Sequence, residues 1–540
     1  MGFNTRAAPA VCQRPEIGAI LTKRLTAFTQ GYRQNIALVG YPGVGKTSLV
    51  FDILRMFADR PLIPIYVDVP VRGAERFART FVGILLFQSF SKESAPPADD
   101  LDGLLEHAKK KIPRTARACA SLLKALAAGE MGEAWPQLLA LPQLVYEETN
   151  RPVLLVLDEF HNLEQLGFPA PFFELSNKIM VQKNIMHLLI SSAPCAAETI
   201  LKEKLSLLFG NFECIHVPPF GADTARQFIQ ERLAPVAVPE PMGAFLAHIT
   251  GGYPLYLDVL TEQLRSVALL APADTLTKAQ LVTSISDVLA KEHGIINQHF
   301  THRFFKLFTN GESGLGLSVL LAIANGCLKM VHLAAAVHKP AAEISRLIHR
   351  LVEADVIRKR GVFSEITDPL LSLWLRLVIQ RQRNSFDVTR LTSAEAFEQD
   401  LAACYERYCV EIEKDVGQRI KELFALFTND IIELDNKRFM LSQFDTLKLS
   451  GVNGVQYLDA RRNNARWRCY IERQAVTESS VANTLAAATP DRRCSRQIMI
   501  ALGGIDDNAR LKALESKFWI WDRSVLNELM SLYQKPHVVI

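Results

Sequence analysis

The chain has 540 residues, and its length and composition exclude several classes of protein. Hydrophobic residues make up 49% of the sequence and charged residues 22%, which is typical of a soluble globular protein and excludes wholesale disorder. At roughly 150 residues per domain, this length predicts about three or four domains. The formal net charge is only +4, so a surface that binds nucleic acid would have to be local.

The sequence also predicts where the protein resides. Its longest apolar stretch, residues 315–328, is shorter than the ~20 residues that cross a bilayer and is interrupted by Asn325. Residues 1–10 lack the apolar core of a secretory signal. The nine cysteines are scattered and form no Cys-x-x-Cys pair, which favours a reducing compartment. We therefore expect a cytoplasmic protein without a membrane span.

A glycine-rich motif of the form G-x-x-x-x-G-K-[ST] follows an apolar run at residues 36–39, which predicts a buried parallel strand. A predicted helix begins directly after the motif, and this strand–loop–helix context is the one that a phosphate-binding P-loop requires. We expect Lys46 to reach the β- and γ-phosphates and Thr47 to ligate Mg²⁺. The residues predicted to bind the nucleotide are Gly40, Tyr41, Pro42, Gly43, Val44, Gly45, Lys46, Thr47 and Ser48.

A second buried-strand run, residues 152–157, ends in Asp158 and Glu159. A carboxylate at the C-terminal end of a parallel strand points into the crevice where ligands bind. We expect Asp158 to complete the Mg²⁺ shell through water and Glu159 to act as the general base for the attacking water. The alternative is an exposed acidic pair at a strand end.

Three more apolar runs, residues 62–68, 185–192 and 213–217, complete a predicted three-layer α/β core. The run at 185–192 ends in Ser192, which lies where a polar side chain can sense the γ-phosphate. Residues 73–140 read as a helical insertion after the second strand, with leucines at helical spacing that predict core packing.

These motifs, together with the segments at residues 14–17 and 251–254, resemble an archaeal-type P-loop ATPase of the STAND/AAA+ group. The resemblance implies ATP and Mg²⁺ as cofactors and a lid in which Pro254 touches the nucleotide, although Gly-Gly-Tyr-Pro is also an ordinary turn. One departure concerns residues 208–211, where the family pattern often has an arginine. Its absence predicts slow hydrolysis, or an arginine finger from elsewhere such as Arg226.

The middle of the chain predicts a helical lid and then a winged helix. Three short helical patterns between residues 319 and 354 precede a two-stranded wing at 356–363. The third helix carries Arg346, His349 and Arg350 at helical spacing, which suits phosphate contacts, although a structural winged helix with a solvated face is the alternative. Residues 368–376 are similar to the segment that follows the winged helix in the same family, and we expect Trp374 to pack.

The C-terminal segment predicts helices and strands in an order that resembles the restriction-endonuclease-like fold, PD-(D/E)xK. That resemblance implies a metal site of Asp459 and Glu472, in which Gln474 replaces the usual lysine, with Glu406 or Glu411 as a third carboxylate. Two Mg²⁺ ions there would support phosphodiester hydrolysis. Five arginines suit DNA phosphates, whether the site is active or degenerate: Arg461, Arg462, Arg466, Arg468 and Arg473. The alternative is a structural role, with Asp459 as a turn residue before residues 463–464.

The predicted fold class is therefore multidomain α/β. We expect an ATPase core at residues 1–221, a lid at 222–300, a winged helix with connector at 301–390 and a nuclease-like domain at 391–540. The leading hypothesis is a DNA-acting ATPase whose nucleotide state controls its DNA-binding domains, plausibly in antiphage defence or a mobile element. The alternatives are a STAND-type signalling switch with a protein partner, or an ATPase that loads on DNA without cutting it; a homo-oligomer is compatible with each.

Overall fold

The computed structural model describes residues 13–91, 100–205, 212–270, 274–308, 313–384, 394–434, 437–452, 455–462, 465–487 and 495–538. The chain divides into two compact units. The first comprises Met1–Pro219 and Tyr253–Leu255, and the second comprises Phe220–Gly252 and Tyr256–Ile540. Among the described residues, no helix combines the length and apolar character that a membrane crossing requires.

The first unit contains a five-stranded sheet in the order β2-β3-β4-β1-β5, with every pair parallel. The strands are β1 (Asn35–Val39), β2 (Ile63–Asp68), β3 (Val153–Asp158), β4 (Ile185–Ser191) and β5 (Phe212–His216). Every residue of β1, β3 and β4 is buried, because helices cover both faces of a parallel sheet. The predicted parallel α/β core is thereby confirmed.

Eight helices accompany this sheet in the described part of the first unit. They are α1 (Pro15–Thr29), α2 (Lys46–Met56), α3 (Ala74–Phe90), α4 (Leu101–Lys111), α5 (Pro113–Ala127), α6 (Ala134–Thr149), α7 (Pro171–Val181) and α8 (Pro194–Thr199). Helices α3–α6 form the helical insertion expected from the leucine spacing. Trp135 of α6 is fully buried, and its ring stacks on Phe168 with centroids 5.5 Å apart. The insertion therefore extends the core of the unit.

The second unit begins with helices. They are α9 (Ala222–Leu233), α10 (Glu240–Thr250), α11 (Pro254–Leu270, whose first two residues belong to the first unit), α12 (Lys278–Leu289), α13 (Ile295–Leu307), α14 (Ser313–Ala324), α15 (Met330–Val337) and α16 (Ala341–Glu353). An antiparallel pair follows, β6 (Ile357–Arg360) and β7 (Phe363–Ile366). Helices α14–α16 and this pair are the elements that the sequence predicts for a winged helix. Trp374, at the end of α17 (Pro369–Trp374), is buried, and its Nε1 donates to Asn297 Oδ1 over 2.8 Å.

The C-terminal part holds a mixed sheet in the order β10-β11-β12-β13-β14 and a separate hairpin, β8-β9. Its strands are β8 (Asp430–Leu434), β9 (Lys437–Leu441), β10 (Thr446–Val452), β11 (Val455–Arg462), β12 (Ala465–Glu472), β13 (Arg496–Ala501) and β14 (Phe518–Asp522). Its helices are α18 (Gln380–Asn384), α19 (Ala394–Glu413), α20 (Val416–Ala425), α21 (Glu478–Ala487), α22 (Asp507–Glu515) and α23 (Arg523–Leu532).

One expectation about these strands is wrong. The sequence predicts one strand at residues 438–446, whereas in the structure β9 ends at Leu441 and β10 begins at Thr446. Strand β10 is the edge of the sheet and pairs antiparallel with β11. An edge strand has one side free of a neighbour and tolerates polar residues and glycine, so the sequence of β10, TLKLSGV, carries little strand signal.

Candidate functional site

The glycine-rich loop lies between β1 and α2 at the C-terminal edge of the parallel sheet. Gly43 and Gly45 have φ values of +79° and +88°, a region that favours glycine. A Cβ at Gly40 would lie 2.5 Å from Val217 O, so this position also excludes a side chain. The backbone of the loop therefore passes close to the residue that follows β5, and α2 begins at Lys46.

Lys46 is buried at the start of α2. Its Nζ donates to Gly40 O over 2.8 Å and to Tyr41 O over 3.0 Å. Burial lowers the pKa of the Lys46 ammonium, while the carboxylates Glu159 and Asp158 act in the opposite direction. The loop's own carbonyl groups thus fix the ammonium group beside the backbone N–H groups of the helix start.

Thr47 lies at the end of the glycine-rich motif, and Asp158 is the last residue of β3. The side chains of these two residues are in contact in the structure. Thr47 Oγ1 donates to Asp158 Oδ2 over 2.8 Å, and Tyr66 OH donates to the same oxygen over 2.6 Å. Asp68 lies opposite Asp158 in the β2–β3 register. Burial and the charges of Asp158 and Glu159 raise the pKa of Asp68, and burial together with Asp158 raises the pKa of Tyr66. The structure therefore gathers hydroxyl and carboxylate oxygens at one point.

Glu159 directly follows β3 and has a φ of +54°. Its Oε2 accepts from Ser192 N over 2.9 Å and from Ser192 Oγ over 2.8 Å. His161 Nδ1 lies 3.4 Å from the same carboxylate and 2.8 Å from Ser191 Oγ. Burial lowers the pKa of His161, against the opposing charge of Glu159. The predicted base, Glu159, and the predicted sensor, Ser192, are thus in direct contact, and His161 lies between Glu159 and Ser191.

The segment from residues 253–255 lies against the glycine-rich loop. Leu255 N donates to Gly43 O over 3.2 Å, and a Cβ on Gly45 would lie 3.9 Å from Pro254 Cγ. Pro254 is the first residue of α11. The predicted contact residue of the lid therefore adjoins the loop that we expect to hold phosphate.

Arg14 is a residue whose role sequence reasoning did not identify, although its segment was noted in the family resemblance. Its side chain is buried, and Nη2 donates to Val44 O over 2.8 Å. Burial lowers the pKa of its guanidinium to about 10. Tyr66, Asp68 and His161 were missed as well. A signal for Tyr66 and Asp68 existed, because both lie near the C-terminal end of the strand that neighbours β3.

The sequence offers two positions for an arginine finger, residues 208–211 and Arg226. Residues 208–211 lie outside the described part of the chain. Arg226, in α9 of the second unit, forms ion pairs with Asp223 over 2.6 Å and with Glu240. Its guanidinium is therefore engaged by two carboxylates of its own unit.

The register of the C-terminal sheet does not bring the predicted metal ligands together. Asp459 of β11 lies opposite Arg468 of β12, and Glu472 lies four residues further along β12. At about 3.3 Å per residue, this places Glu472 ~13 Å along the strand. The cross-strand pair Tyr457–Tyr470 lies between them, with ring centroids 6.0 Å apart. The two carboxylates therefore cannot share an ion in this arrangement, a correction to the metal site expected from the sequence.

Both carboxylates have other partners. Asp459 Oδ2 accepts from Arg461 Nε over 2.9 Å, and its two oxygens accept from Arg466 Nε and Nη2, each over 2.8 Å. Glu472 Oε1 accepts from Thr484 Oγ1 over 3.1 Å. Burial favours the neutral form of Asp459, but the hydrogen bonds and charges of Arg466 and Arg461 outweigh it and lower its pKa to about 2.

The remaining members of the proposed nuclease site are dispersed. Glu406 forms an ion pair with Lys278, and Glu411 forms one with Lys414 over 2.7 Å. Gln474 follows the end of β12. Within the described ranges, no group of three or more His, Cys, Asp or Glu side chains is arranged to hold a metal ion. The geometry of these residues gives no support to a nuclease.

The arginines of this segment do not form a free basic surface. Besides the two that bind Asp459, Arg473 pairs with Asp415, and Arg462 Nη1 donates to Gln443 Oε1 over 2.7 Å. Arg468 is only 8% exposed. These arginines are thus bonded within the protein or nearly covered, and DNA binding by them stays a prediction.

Replacing Asp459 with asparagine is expected to remove an acid-sensitive part of the stability. The pKa of Asp459 falls from an ordinary 3.8 to about 2 on folding, so its contribution is fully present above about pH 4 and is lost as pH falls through about 2. We expect wild type to exceed Asp459→Asn by about 1–2 kcal/mol in unfolding free energy at pH 7. Urea unfolding from pH 7 to pH 2.5 should show this difference shrinking below pH 4, and a pH-independent difference would contradict the ion pairs.

The predicted wing contacts the hairpin β8-β9 and α23. Val362 N donates to Ile431 O over 2.9 Å, and Ile431 O occupies the space that a Cβ on Gly361 would need. Arg360 Nη1 lies 3.1 Å from Glu528 Oε2. Arg360 is therefore paired, whereas Lys359 of β6 and Arg346, on the outer face of α16, are exposed.

No protein-family model and no curated protein matches the chain. Among solved structures, the Walker-type ATPase PABY2304 of Pyrococcus abyssi is similar, with 15% identity and a TM-score of 0.42 over 66% of this chain and 94% of that chain. The Aeropyrum pernix ORC2 protein has 12% identity and a TM-score of 0.45, over 74% and 97%. The Thermotoga maritima RuvB Holliday junction branch migration motor has 13% identity and a TM-score of 0.33, over 65% and 91%. These likenesses are too distant to assign a function.

Proposed function

We propose that this protein binds ATP with Mg²⁺ at the glycine-rich loop and hydrolyses it. The observation that carries the proposal is the hydrogen bond of 2.8 Å between Thr47 Oγ1 and Asp158 Oδ2, which joins two motifs 111 residues apart in sequence. A hydroxyl and a carboxylate at a P-loop helix start are the oxygen ligands by which P-loop proteins hold Mg²⁺. Chance placement of two separate motifs would not produce this contact.

The donor set fits a nucleoside triphosphate. Gly43 and Gly45 leave room for backbone N–H groups to face phosphate oxygens, and the buried Lys46 ammonium supplies a positive charge at the start of α2. Mg²⁺ held by Thr47, and through water by Asp158, would neutralise charge that develops on the phosphate oxygens. Pro254 adjoins the loop on the side of α11 and can contact the bound nucleotide.

Each side chain has a separable part in the proposed hydrolysis. Glu159 would accept the proton of the attacking water, and the two hydrogen bonds from Ser192 hold its carboxylate at the strand end. His161 adds a third group beside that carboxylate. Lys46 would bind β- and γ-phosphate oxygens in exchange for the carbonyl groups of Gly40 and Tyr41. This division separates residues that bind nucleotide from those that act on water.

The proposal is tested by phosphate release from ATP with the full-length chain, together with binding of a fluorescent ATP analogue. We expect Mg²⁺-dependent turnover slower than about 1 s⁻¹, because the arginine that often accelerates this chemistry is missing from its family position. Chelation of Mg²⁺ should reduce turnover to background. If the chain neither binds the analogue nor releases phosphate, the proposed function is wrong.

A second candidate function is DNA binding through α16. The observation that favours it is the row of exposed residues on one face of this helix, which includes Ser345, Arg346, His349 and Arg350. A helix of this kind can contact DNA phosphates and base edges in the major groove. His349 lies 3.3 Å from Glu353, and the turn of the wing is bonded to β8 through Val362 N and Ile431 O, so we propose contact by the helix alone. Nucleotide control of that contact is part of the same proposal.

Replacing Arg346 with glutamate is expected to weaken DNA binding at low salt. Loss of one phosphate contact and introduction of a like charge should reduce affinity by about tenfold and flatten the salt dependence. Gel shifts with a 30-base-pair duplex at 50 mM salt measure this change, and Lys124→Ala, an exposed change in α5 of the first unit, is the control. Equal binding by wild type and Arg346→Glu would argue against α16, and no binding at all would favour the signalling switch.

A further inference from the structure

A groove of about 760 Å³ lies in the second unit between strands β9 and β14. Its walls include consecutive residues of both strands, 438–441 from β9 and 518–522 from β14. Successive side chains of a strand point to opposite faces of a sheet, so a wall of consecutive residues is formed by the edge of a strand and not by one face. The groove therefore lies between two strand edges.

The backbone of the hairpin supports this reading for β9. Ile431 O accepts a hydrogen bond from Val362 N, so it points away from β9. Ile431 lies opposite Met440 in the β8–β9 pair, and opposite residues in an antiparallel pair direct their backbone groups either toward each other or both outward. Met440 O accordingly faces the groove, where Arg496 Nη1 donates to it over 3.5 Å.

The second edge belongs to β14, the last strand of the five-stranded sheet. Among the strands that the structure describes, none pairs with the outer edge of β14 or of β9. Unpaired edges present N–H and C=O groups that can accept a further strand. Natural proteins generally cover such edges, and two of them facing one groove indicate a place for an added strand.

The groove has an apolar floor and a positive rim. Buried side chains of Leu434, Leu441 and Leu529 line it. Its charged lining residues are Arg438, Arg496, Arg510 and Asp522. Asp522 is the one carboxylate among them: its Oδ1 accepts from Val525 N at the start of α23, and its Oδ2 lies 3.5 Å from Arg510 Nη2. Arg438 pairs with Glu433 over 3.6 Å, and the Arg496 guanidinium lies over the Trp519 ring. Three arginines against one carboxylate still leave the lining residues with a net positive charge. The lining therefore favours an occupant with apolar side chains on one face and negative charges at its margins.

We propose that this groove binds an extended acidic peptide segment of a partner protein by β-strand addition, which would join the hairpin β8-β9 to the five-stranded sheet. Backbone hydrogen bonds to both edges would supply affinity, and the arginines would select acidic side chains. A second copy of this chain is a poor occupant, because its own groove margin carries the same arginines and like charges repel. The proposal stands independently of the nucleotide site.

The experiment uses the full-length chain and defined peptides in isothermal titration calorimetry. The probe is an acetylated hexapeptide that alternates valine and glutamate, and we expect a dissociation constant below about 1 mM. The same peptide with lysine in place of glutamate should bind at least about tenfold more weakly, because its charge is reversed. A version methylated on alternate backbone nitrogens should lose about tenfold or more, because it lacks the donors for strand pairing.

A variant with its matched control locates the binding site. Arg438 is 80% exposed in its side chain, so Arg438→Glu should leave the fold intact and weaken the acidic peptide about fivefold or more. Arg407→Glu, an exposed change on α19, should leave peptide binding unchanged. The proposal is overturned if the acidic peptide does not bind, if backbone methylation has no effect, or if Arg438→Glu binds as wild type. It is also overturned if oligothymidylate binds more tightly than the peptide and Arg438→Glu abolishes that binding.

Discussion

Replacing Lys46 with alanine is expected to abolish measurable ATP turnover and to weaken nucleotide binding sharply. The Lys46 ammonium is buried, is held 2.8 Å from Gly40 O and belongs to the first residue of α2. Removing one preorganised cationic donor from a site of this kind costs about 10²–10³ in rate. Because Lys46 should contact the nucleotide before and during hydrolysis, binding and turnover should fall together.

The measurement combines phosphate release with titration of a fluorescent ATP analogue. Lys124→Ala serves as the control, because Lys124 is exposed on α5 and the same residue type is removed there. Circular dichroism should show that both variants keep the helix content of wild type. If Lys46→Ala retained wild-type binding and turnover, the glycine-rich loop would not be the nucleotide site.

Replacing Glu159 with glutamine is expected to leave nucleotide binding close to that of wild type and to lower kcat by about 10²–10⁴. The amide oxygen of glutamine can still accept the hydrogen bonds that Ser192 donates to Glu159. Glutamine cannot accept a proton from water at neutral pH, so we expect the rate of the hydrolysis step to fall while nucleotide affinity stays the same. A fall in kcat with little change in analogue affinity therefore separates the base from a binding residue.

Single-turnover phosphate release with the variant in excess over ATP isolates this step. Glu130→Gln is the control, because Glu130 is an exposed glutamate of the same unit. Preserved single-turnover rates in Glu159→Gln would show that another group activates the water, and His161, which lies 3.4 Å from the Glu159 carboxylate, would be the next residue to test.

The parallel core was predictable because its signals are local. Strands β1, β3 and β4 are continuous apolar runs, and a parallel sheet covered on both faces requires this pattern. Strand β10 was not predictable in the same way, because an edge strand buries little and TLKLSGV has no such run. The domain boundaries stay predictions, and the nucleotide-binding residues stay predictions that the Lys46 and Glu159 variants test.

The C-terminal region shows where reasoning from sequence fails. Asp459 and Glu472 lie on neighbouring strands at a spacing that fits a metal-dependent nuclease. The register instead places Arg468 opposite Asp459 and puts Tyr457–Tyr470 between the two carboxylates. Pairing register depends on contacts across the sheet, and the spacing of two residues along the chain does not reveal these contacts.

The sequence by itself determined the strand–loop–helix context of the glycine-rich motif, the acidic pair after a second strand, and the α/β class of the core. These features can be read from the sequence because the backbone conformations that glycine allows and the apolar runs of buried strands depend on only a few neighbouring residues. Only the tertiary structure decided that Thr47 meets Asp158, that Ser192 holds Glu159, and that β9 and β14 leave a groove between their edges. Such contacts join residues far apart in the chain, so packing and register determine them.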